Sequence, residues 1–136
     1  MLATQTQIRK KDPHKFANSI KKDEMAQTLD HITEVMLTTY LCGQFGWHDK
    51  LNEEQFLIYR VYGKPLAERL GFELSNKFNE TAFIWARENV DNYNWMYTLW
   101  VALNKKYFDF FGKAYDGFKF SSYLMVENIF QNGKKI

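Results

Sequence analysis

The sequence predicts an all-α fold, a single compact domain of about five helices with an extended basic N-terminal arm. Apolar residues recur at spacings of three and four, which places them on one side of a helix. Single glycines follow several of these runs, as they follow natural helices. No stretch alternates apolar and polar residues over the length of a strand. At 136 residues the chain has the length of one domain, and we divide it into the arm, 1–19, and a helical domain, 20–136.

The arm is polar and basic. Residues 1–19 contain few apolar side chains and one proline, so we expect them to be extended. The net charge of the whole chain is only +2, which is too small to indicate a polyanionic partner. The basic residues are concentrated near the two ends, at Arg9, Lys10, Lys11, Lys15, Lys21, Lys22, Lys134 and Lys135. Two solvated ends and an anion-binding arm both explain this distribution.

The first helix is expected to begin at a cap formed by Ser19 or Asp23 and to end at Gly43. Asp30 and Glu34 lie off its apolar side, where they are free to meet solvent or a ligand. The apolar stripe consists of Met25, Leu29, Ile32, Met36 and Tyr40. This spacing predicts a helix that buries one face and presents carboxylates on another.

The second helix has a capping box at its start. Asn52 is followed three residues later by Gln55, a pairing that satisfies two backbone N–H groups at a helix N-terminus. Gly63 and Pro65 are expected to interrupt this helix, because proline removes a hydrogen bond and clashes with the preceding turn. Gly71 should end the short continuation after the interruption.

Three further helices follow. A helix is predicted over 79–88, and Asp91 or Asn92 should cap the longest and most aromatic helix, which ends before Gly112. A last helix, capped by a serine at its start, is predicted over 121–132. The sequence thus indicates helices throughout its length.

Several classes of site are excluded by composition. Cys42 is the only cysteine, so neither an intramolecular disulfide nor a cysteine-based metal site is expected. The three histidines show no metal-binding spacing, and the chain has no glycine-rich phosphate loop. Neither an apolar signal-peptide core nor a run long enough to span a membrane is present. We therefore expect a cytoplasmic protein without a cofactor, a metal or a membrane partner.

The segment 81–115 contains the most distinctive residues. It includes W-A-R-E at 85–88, N-Y-x-W at 92–95 and V-A-L at 101–103, followed by Tyr107 and by G-K at 112–113. In order and spacing these elements resemble a family of small bacteriophage proteins described as pyrimidine-dimer DNA glycosylases, relatives of phage endonuclease V. The resemblance covers about a quarter of the chain well. Upstream, the D-P-x-K-x-A pattern of 12–17 extends it more weakly.

The resemblance implies a DNA glycosylase and abasic-site lyase, in which an amine attacks C1′ of a damaged nucleotide and a carboxylate moves protons. It implies the catalytic candidates Glu34, Asp30 and Lys22, and the DNA-binding candidates Arg87, Asn92, Tyr93, Trp95 and Lys113. We expect Asp30 or Glu34 to lie within hydrogen-bond or one-water reach of Arg87. The basic arm should give salt-dependent DNA binding, and deletion of 1–12 should remove about two to three phosphate contacts.

The attacking amine of this family is the chain's own N-terminus. In this chain Leu2 should prevent removal of Met1, and an extended arm would not hold the amine in place. Covalent trapping on abasic DNA should therefore be weak or should map to a lysine. A lysine could replace the terminal amine if burial lowered its pKa, and Lys22 and Lys113 are the candidates.

Every one of these residues also has a structural explanation. Arg87 can pair with Asp91 one turn away, Asn92 can serve as a cap, and the tryptophans can lie in the core. In addition, the chain lacks the Asp-Lys pair and the His-Pro pair that are usual in the family. The alternative is a non-catalytic phage accessory protein that uses the same scaffold to bind DNA or a host protein.

Overall fold

The computed structural model describes residues 12–130, and within them the chain forms α-helices and 3-10 helices without any strand. The helices are α1 (Pro13–Asn18), α2 (Lys22–Gln44), α3 (Glu53–Leu70), α4 (Thr81–Glu88) and α5 (Val90–Phe111), followed by 3-10 helices at Asp116–Phe120 and Val126–Asn128. The prediction of an all-α domain is confirmed. No helix among the described residues is long and apolar enough to cross a membrane.

The core forms where α2 and α5 pack against each other, with α1 and α4 packed on the same pair. On α2 the predicted stripe from Met25 to Met36 is buried, and Tyr40 continues it at the edge. On α5 the buried apolar residues are Tyr93, Met96, Leu99, Trp100 and Leu103. A smaller cluster around Leu41, Tyr59 and Phe78 attaches α3.

The prediction of an extended arm is wrong for its second half, since Pro13–Asn18 form helix α1. The Asp12 side chain accepts a hydrogen bond from the His14 N–H at 2.8 Å, and Pro13 occupies a first-turn position where no N–H is needed. Phe16 and Ala17 are buried, so even this short amphipathic segment finds a surface to pack on. Residues 1–11 lie outside the described part of the chain.

Helix α2 continues past Gly43, which was expected to end it. The helix ends at Gln44, and Gly46 adopts the left-handed conformation two residues later, with φ of 75°. Gly43 has a packing role instead: a Cβ atom there would lie 2.9 Å from the backbone oxygen of Ile129. The glycine therefore allows the C-terminal segment to approach α2.

Helix α3 confirms the capping box and the end at Gly71, which has φ of 95°. It contradicts the interruption, because the helix runs through both Gly63 and Pro65. Gly63 is buried beside Leu74, where a side chain would crowd the connector that follows. The carbonyl that residue 65 would have bonded belongs to Val61, an exposed residue, so water can satisfy it.

Helix α5 begins one turn earlier than predicted. Asn89 is its cap, and the Asn89 side chain accepts a hydrogen bond from the Asn92 N–H at 2.8 Å. The predicted end at Gly112 is confirmed, with φ of 71°. The predicted helix over 121–132 is wrong for its described part, in which Val126–Asn128 form a short 3-10 helix.

Candidate functional site

A cleft of about 320 Å³ opens between the middle of α2 and the loops that follow α3 and α5. Asp30, Thr33 and Glu34 lie on successive turns of α2 and form one wall, because residues three and four apart share a helix face. The opposite walls come from the α3–α4 connector and from the start of the first 3-10 helix. These walls include Phe72, Glu73, Leu74, Ser75, Tyr115, Gly117 and Phe120.

Glu34 is held by the α3–α4 connector. The Ser75 hydroxyl donates a hydrogen bond of 2.7 Å to one carboxylate oxygen, and the Lys77 ammonium lies 3.9 Å from the other. Ser75 is itself buried and fixed, since its hydroxyl accepts from the Lys77 N–H and its carbonyl accepts from the buried Tyr59 hydroxyl. Glu34 and Lys77 are both partly exposed. The cleft wall therefore carries a carboxylate, Glu34, and the partly exposed Lys77 amine lies beside it, next to the residues that line the cleft.

Asp30 is held by the segment after α5. The Tyr115 hydroxyl donates a hydrogen bond of 2.5 Å to its carboxylate. Burial raises the pKa of Tyr115, and the neighbouring Asp30 raises it further, so the phenol remains a donor. Between the two carboxylates, the Thr33 hydroxyl accepts a 2.9 Å hydrogen bond from the indole N–H of Trp100. These contacts fix one face of α2 to α5 and to the 3-10 helix.

His31 lines a second cleft, of about 570 Å³, beside α1. Its ring packs edge-on against Phe83 with the centroids 6.0 Å apart. Burial lowers the pKa of His31, and this effect exceeds the opposing influence of Glu34. The imidazole next to the Glu34–Lys77 pair is therefore mainly neutral at neutral pH.

Arg87 lies outside the cleft that contains Asp30 and Glu34. It is completely buried, and its Nε and Nη2 atoms donate to the Asp49 carbonyl at 3.1 and 2.9 Å. Weaker contacts of 3.4 Å go to the Phe83 carbonyl and to the Asn79 side-chain oxygen. None of these hydrogen bonds reaches Asp30 or Glu34. The guanidinium instead fixes the α2–α3 loop to α4.

The N-Y-x-W residues also make contacts inside the fold. The Asn92 amide donates to the Trp85 carbonyl at 2.8 Å, and the Tyr93 hydroxyl donates to the Leu124 carbonyl at 2.5 Å. Trp95 packs edge-on against Phe16 and against Trp85, with centroid distances of 5.9 and 6.0 Å. The tryptophans of this segment thus form part of the core, which is the alternative to a role in DNA binding that the sequence left open.

The two lysine candidates lie outside the cleft. Lys22 is exposed in the first turn of α2, and its Nζ atom lies 5.4 Å from the centre of the Phe111 ring. Lys113 is exposed just after the end of α5. Of the sequence candidates, the structure brings only Asp30 and Glu34 together in one cleft.

Ser75 and Tyr115 of the cleft and the adjacent Lys77 were not identified from the sequence as site residues. Ser75 and Lys77 lie in a connector that has no periodicity, and only contacts distant in sequence place them opposite α2. Tyr115 follows the G-K pair of the distinctive segment, which is the only signal that marks it.

Among residues 12–130, no group of three histidine, cysteine, aspartate or glutamate side chains is arranged to hold a metal ion. Comparison of the chain with protein-family models, with curated proteins and with solved structures finds no match.

Proposed function

We propose that the chain is a phage-encoded, DNA-acting protein of the glycosylase and abasic-site lyase type, working at damaged or modified pyrimidines in the host cytoplasm. The observation that carries the proposal is the Glu34–Lys77 pair, in which the amine lies 3.9 Å from a carboxylate that lines the cleft. Schiff-base chemistry on a sugar requires an amine nucleophile, and a carboxylate within reach can move the protons of the steps that follow attack.

Lys77 is the nucleophile in this proposal. Its neutral amine adds to the C1′ aldehyde of a ring-opened abasic nucleotide, and loss of water gives an imine. A base then removes a proton from C2′, the C3′–O bond breaks, and the 3′ phosphate leaves with the electron pair. Hydrolysis of the imine restores the lysine. The overall reaction is an elimination, and it consumes no oxidant or reductant.

Glu34 moves the protons in these steps. Its carboxylate lies close enough to the Lys77 nitrogen to take the proton that the nitrogen loses when the C–N bond forms, and it then gives that proton to the C1′ hydroxyl, which leaves as water. Ser75 is a positioning residue, because its buried hydroxyl donates to Glu34 and its carbonyl is held by Tyr59. Asp30 and Tyr115 shape the other end of the cleft and offer a hydrogen-bonding wall to the sugar or base.

The W-A-R-E and N-Y-x-W residues support the proposal through the scaffold. Arg87 fixes the loop before α3, and Tyr93 fixes the segment after the first 3-10 helix, whose Gly117 and Phe120 line the cleft. The residues that resemble the phage family thus belong to the framework around the site.

The internal hydrogen bonds of the W-A-R-E and N-Y-x-W residues favour a second candidate function. Since Arg87, Asn92 and Tyr93 are occupied by internal hydrogen bonds, the resemblance is also explained by a framework kept without catalysis. In that case the chain is a non-catalytic accessory protein that binds DNA or a host protein.

Strand cleavage of a duplex that contains one abasic site separates the two candidates. We expect cleavage by the wild type, a loss of at least about a hundredfold in Lys77→Ala, and a loss of about 10²–10⁴ in Glu34→Gln. Lys50→Ala, which removes an exposed lysine of the α2–α3 loop, should cleave like the wild type. An inactive wild type, or a fully active Lys77→Ala variant, would overturn the catalytic proposal.

A further inference from the structure

We infer that the exposed aromatic side of α5 and the following 3-10 helix bind single-stranded DNA next to the cleft. The inference rests on the proposed function for its choice of partner and adds the surface that holds the strand. We call this surface the α5 aromatic face and define it by Phe108, Phe111 and Phe118 together with Lys105, Lys113 and Lys119.

The three phenylalanines are unusually accessible. Phe108 and Phe111 of α5 are 54% and 39% exposed and Phe118 of the 3-10 helix is 44% exposed, whereas Tyr93 and Trp100 of α5 are completely buried. Phe108 and Phe111 are one turn apart on α5 and thus share a side of it. Several exposed rings grouped in this way indicate a contact surface, whereas a single exposed apolar residue would need no explanation.

The charge of this surface is complementary to a phosphate backbone. Residues 105–120 contain four lysines and two aspartates. One of the lysines, Lys106, donates to three backbone carbonyls at and after the end of α1, which leaves three for this surface. One of those acids, Asp109, is paired with Lys105 at 3.4 Å, and Lys22 of α2 adds a further positive charge beside Phe111. Lys113 and Lys119 are exposed. Lysines interleaved with accessible rings are the combination by which proteins hold a single strand, through phosphate contacts and base stacking.

The surface is continuous with the cleft through aromatic contacts. Tyr115, which holds Asp30, meets the edge of Tyr107 at 5.5 Å, and Tyr107 lies 4.6 Å from Phe111. On the other side, Phe118 stacks on Trp100 at 5.6 Å, and Trp100 donates to Thr33 in the cleft wall. A strand stacked on Phe111 therefore lies next to the Asp30 end of the cleft.

A second exposed apolar group lies on α3 and provides a control. Leu57, Val61 and Tyr62 are more than 60% exposed, but only one of them is aromatic and none lines the Asp30–Glu34 cleft. A general tendency to stick to DNA or to other proteins would involve both surfaces. Stacking of bases would involve the α5 aromatic face alone.

Fluorescence anisotropy with a labelled oligothymidylate tests the inference without requiring catalysis. We expect Phe108→Ala and Phe118→Ala each to raise the Kd by at least about fivefold, the lower end of the effect of removing a stacked aromatic ring. Val61→Ala should leave the Kd unchanged. Lys113→Ala should reduce the slope of log affinity against log salt by about 0.7, the value for one phosphate contact on a single strand.

The outcomes separate this inference from the proposed function. If the wild type binds the oligonucleotide through these residues but cleaves no abasic DNA, the surface stands and the catalytic proposal falls. If abasic DNA is cleaved while Phe108→Ala and Phe118→Ala, folded by circular dichroism, keep the wild-type Kd, the inference is overturned. The absence of any binding at about 50 mM salt, or a dimer that dissociates in Phe108→Ala, overturns it as well.

Discussion

The guanidinium of Arg87 has no exposed surface, and its hydrogen bonds go to oxygen atoms of the protein itself. Neither ion pair found among residues 12–130 includes it. Burial accordingly lowers the pKa of Arg87, although an arginine remains charged at any ordinary pH. The positive charge of the buried guanidinium is stabilised by carbonyl groups of a loop and a helix. Its role is therefore to hold those two elements together.

Removal of this guanidinium should therefore lower the stability of the fold. We expect Arg87→Met to lower the free energy of unfolding by about 1–3 kcal/mol, because it leaves the Asp49 carbonyl without a donor. Arg60→Met, at an exposed position of α3, is the control and should be close to neutral. Urea denaturation measures both. An Arg87→Met variant as stable as the wild type but defective in DNA binding would show that the side chain acts on a ligand.

His31 gives the fold a dependence on pH. Its pKa is lowered in the folded state by burial, with Glu34, Lys77 and Glu80 as the charged neighbours, so at pH values near 6 the unfolded chain binds more protons. The stability that His31 contributes is thus present above about pH 6.5 and is lost as the pH falls through its folded pKa.

The variant His31→Gln should lack this component. We expect its free energy of unfolding to change less than that of the wild type between pH 7 and pH 5, measured by denaturation at each pH. A titration of the His31 ring by NMR should give a midpoint below 6.5. A midpoint above that value would reverse the sign of the effect and contradict the account.

At the level of elements, helix boundaries were predictable where they depend on side chains close in sequence. The Asn52–Gln55 box and the terminal glycines Gly71 and Gly112 act as predicted, because caps are local interactions. The predicted interruption of α3 at Gly63 and Pro65 was wrong because the effect of these residues depends on their surroundings. Gly63 packs against Leu74, and Pro65 removes a hydrogen bond on an exposed side of the helix. Local preference was overridden by tertiary packing at these positions.

The junction between α4 and α5 provides a test at this level. Asn89 caps α5, and we expect Asn89→Ala to cost about 0.5–2 kcal/mol of stability. Asn94→Ala, at an exposed position inside the same helix, should be neutral or slightly stabilising since alanine favours a helix. Thermal or urea unfolding distinguishes the two. Equal stabilities of the two variants would show that α5 does not depend on this cap.

At the level of the whole molecule, the candidate site is assembled from three distant parts of the chain. The sequence allowed Asp30 and Glu34 to be chosen as carboxylates off the apolar stripe of α2, a matter of helical spacing. Their partners, Ser75 and Lys77 in one loop and Tyr115 in another, are 41 or more residues away from them. No periodicity links loop residues to a helix face, so this half of the site follows only from the packed structure.

The central claim is that Lys77 acts as an amine nucleophile beside Glu34. Borohydride trapping tests it directly, because reduction converts the imine between a lysine and an abasic sugar into a stable secondary amine. The wild type should be trapped on abasic DNA, and peptide mass spectrometry should place the adduct on Lys77. Trapping should be lost in Lys77→Ala and retained in Lys50→Ala. An adduct on the N-terminal amine or on another lysine, or no adduct with the folded wild type, would contradict the account.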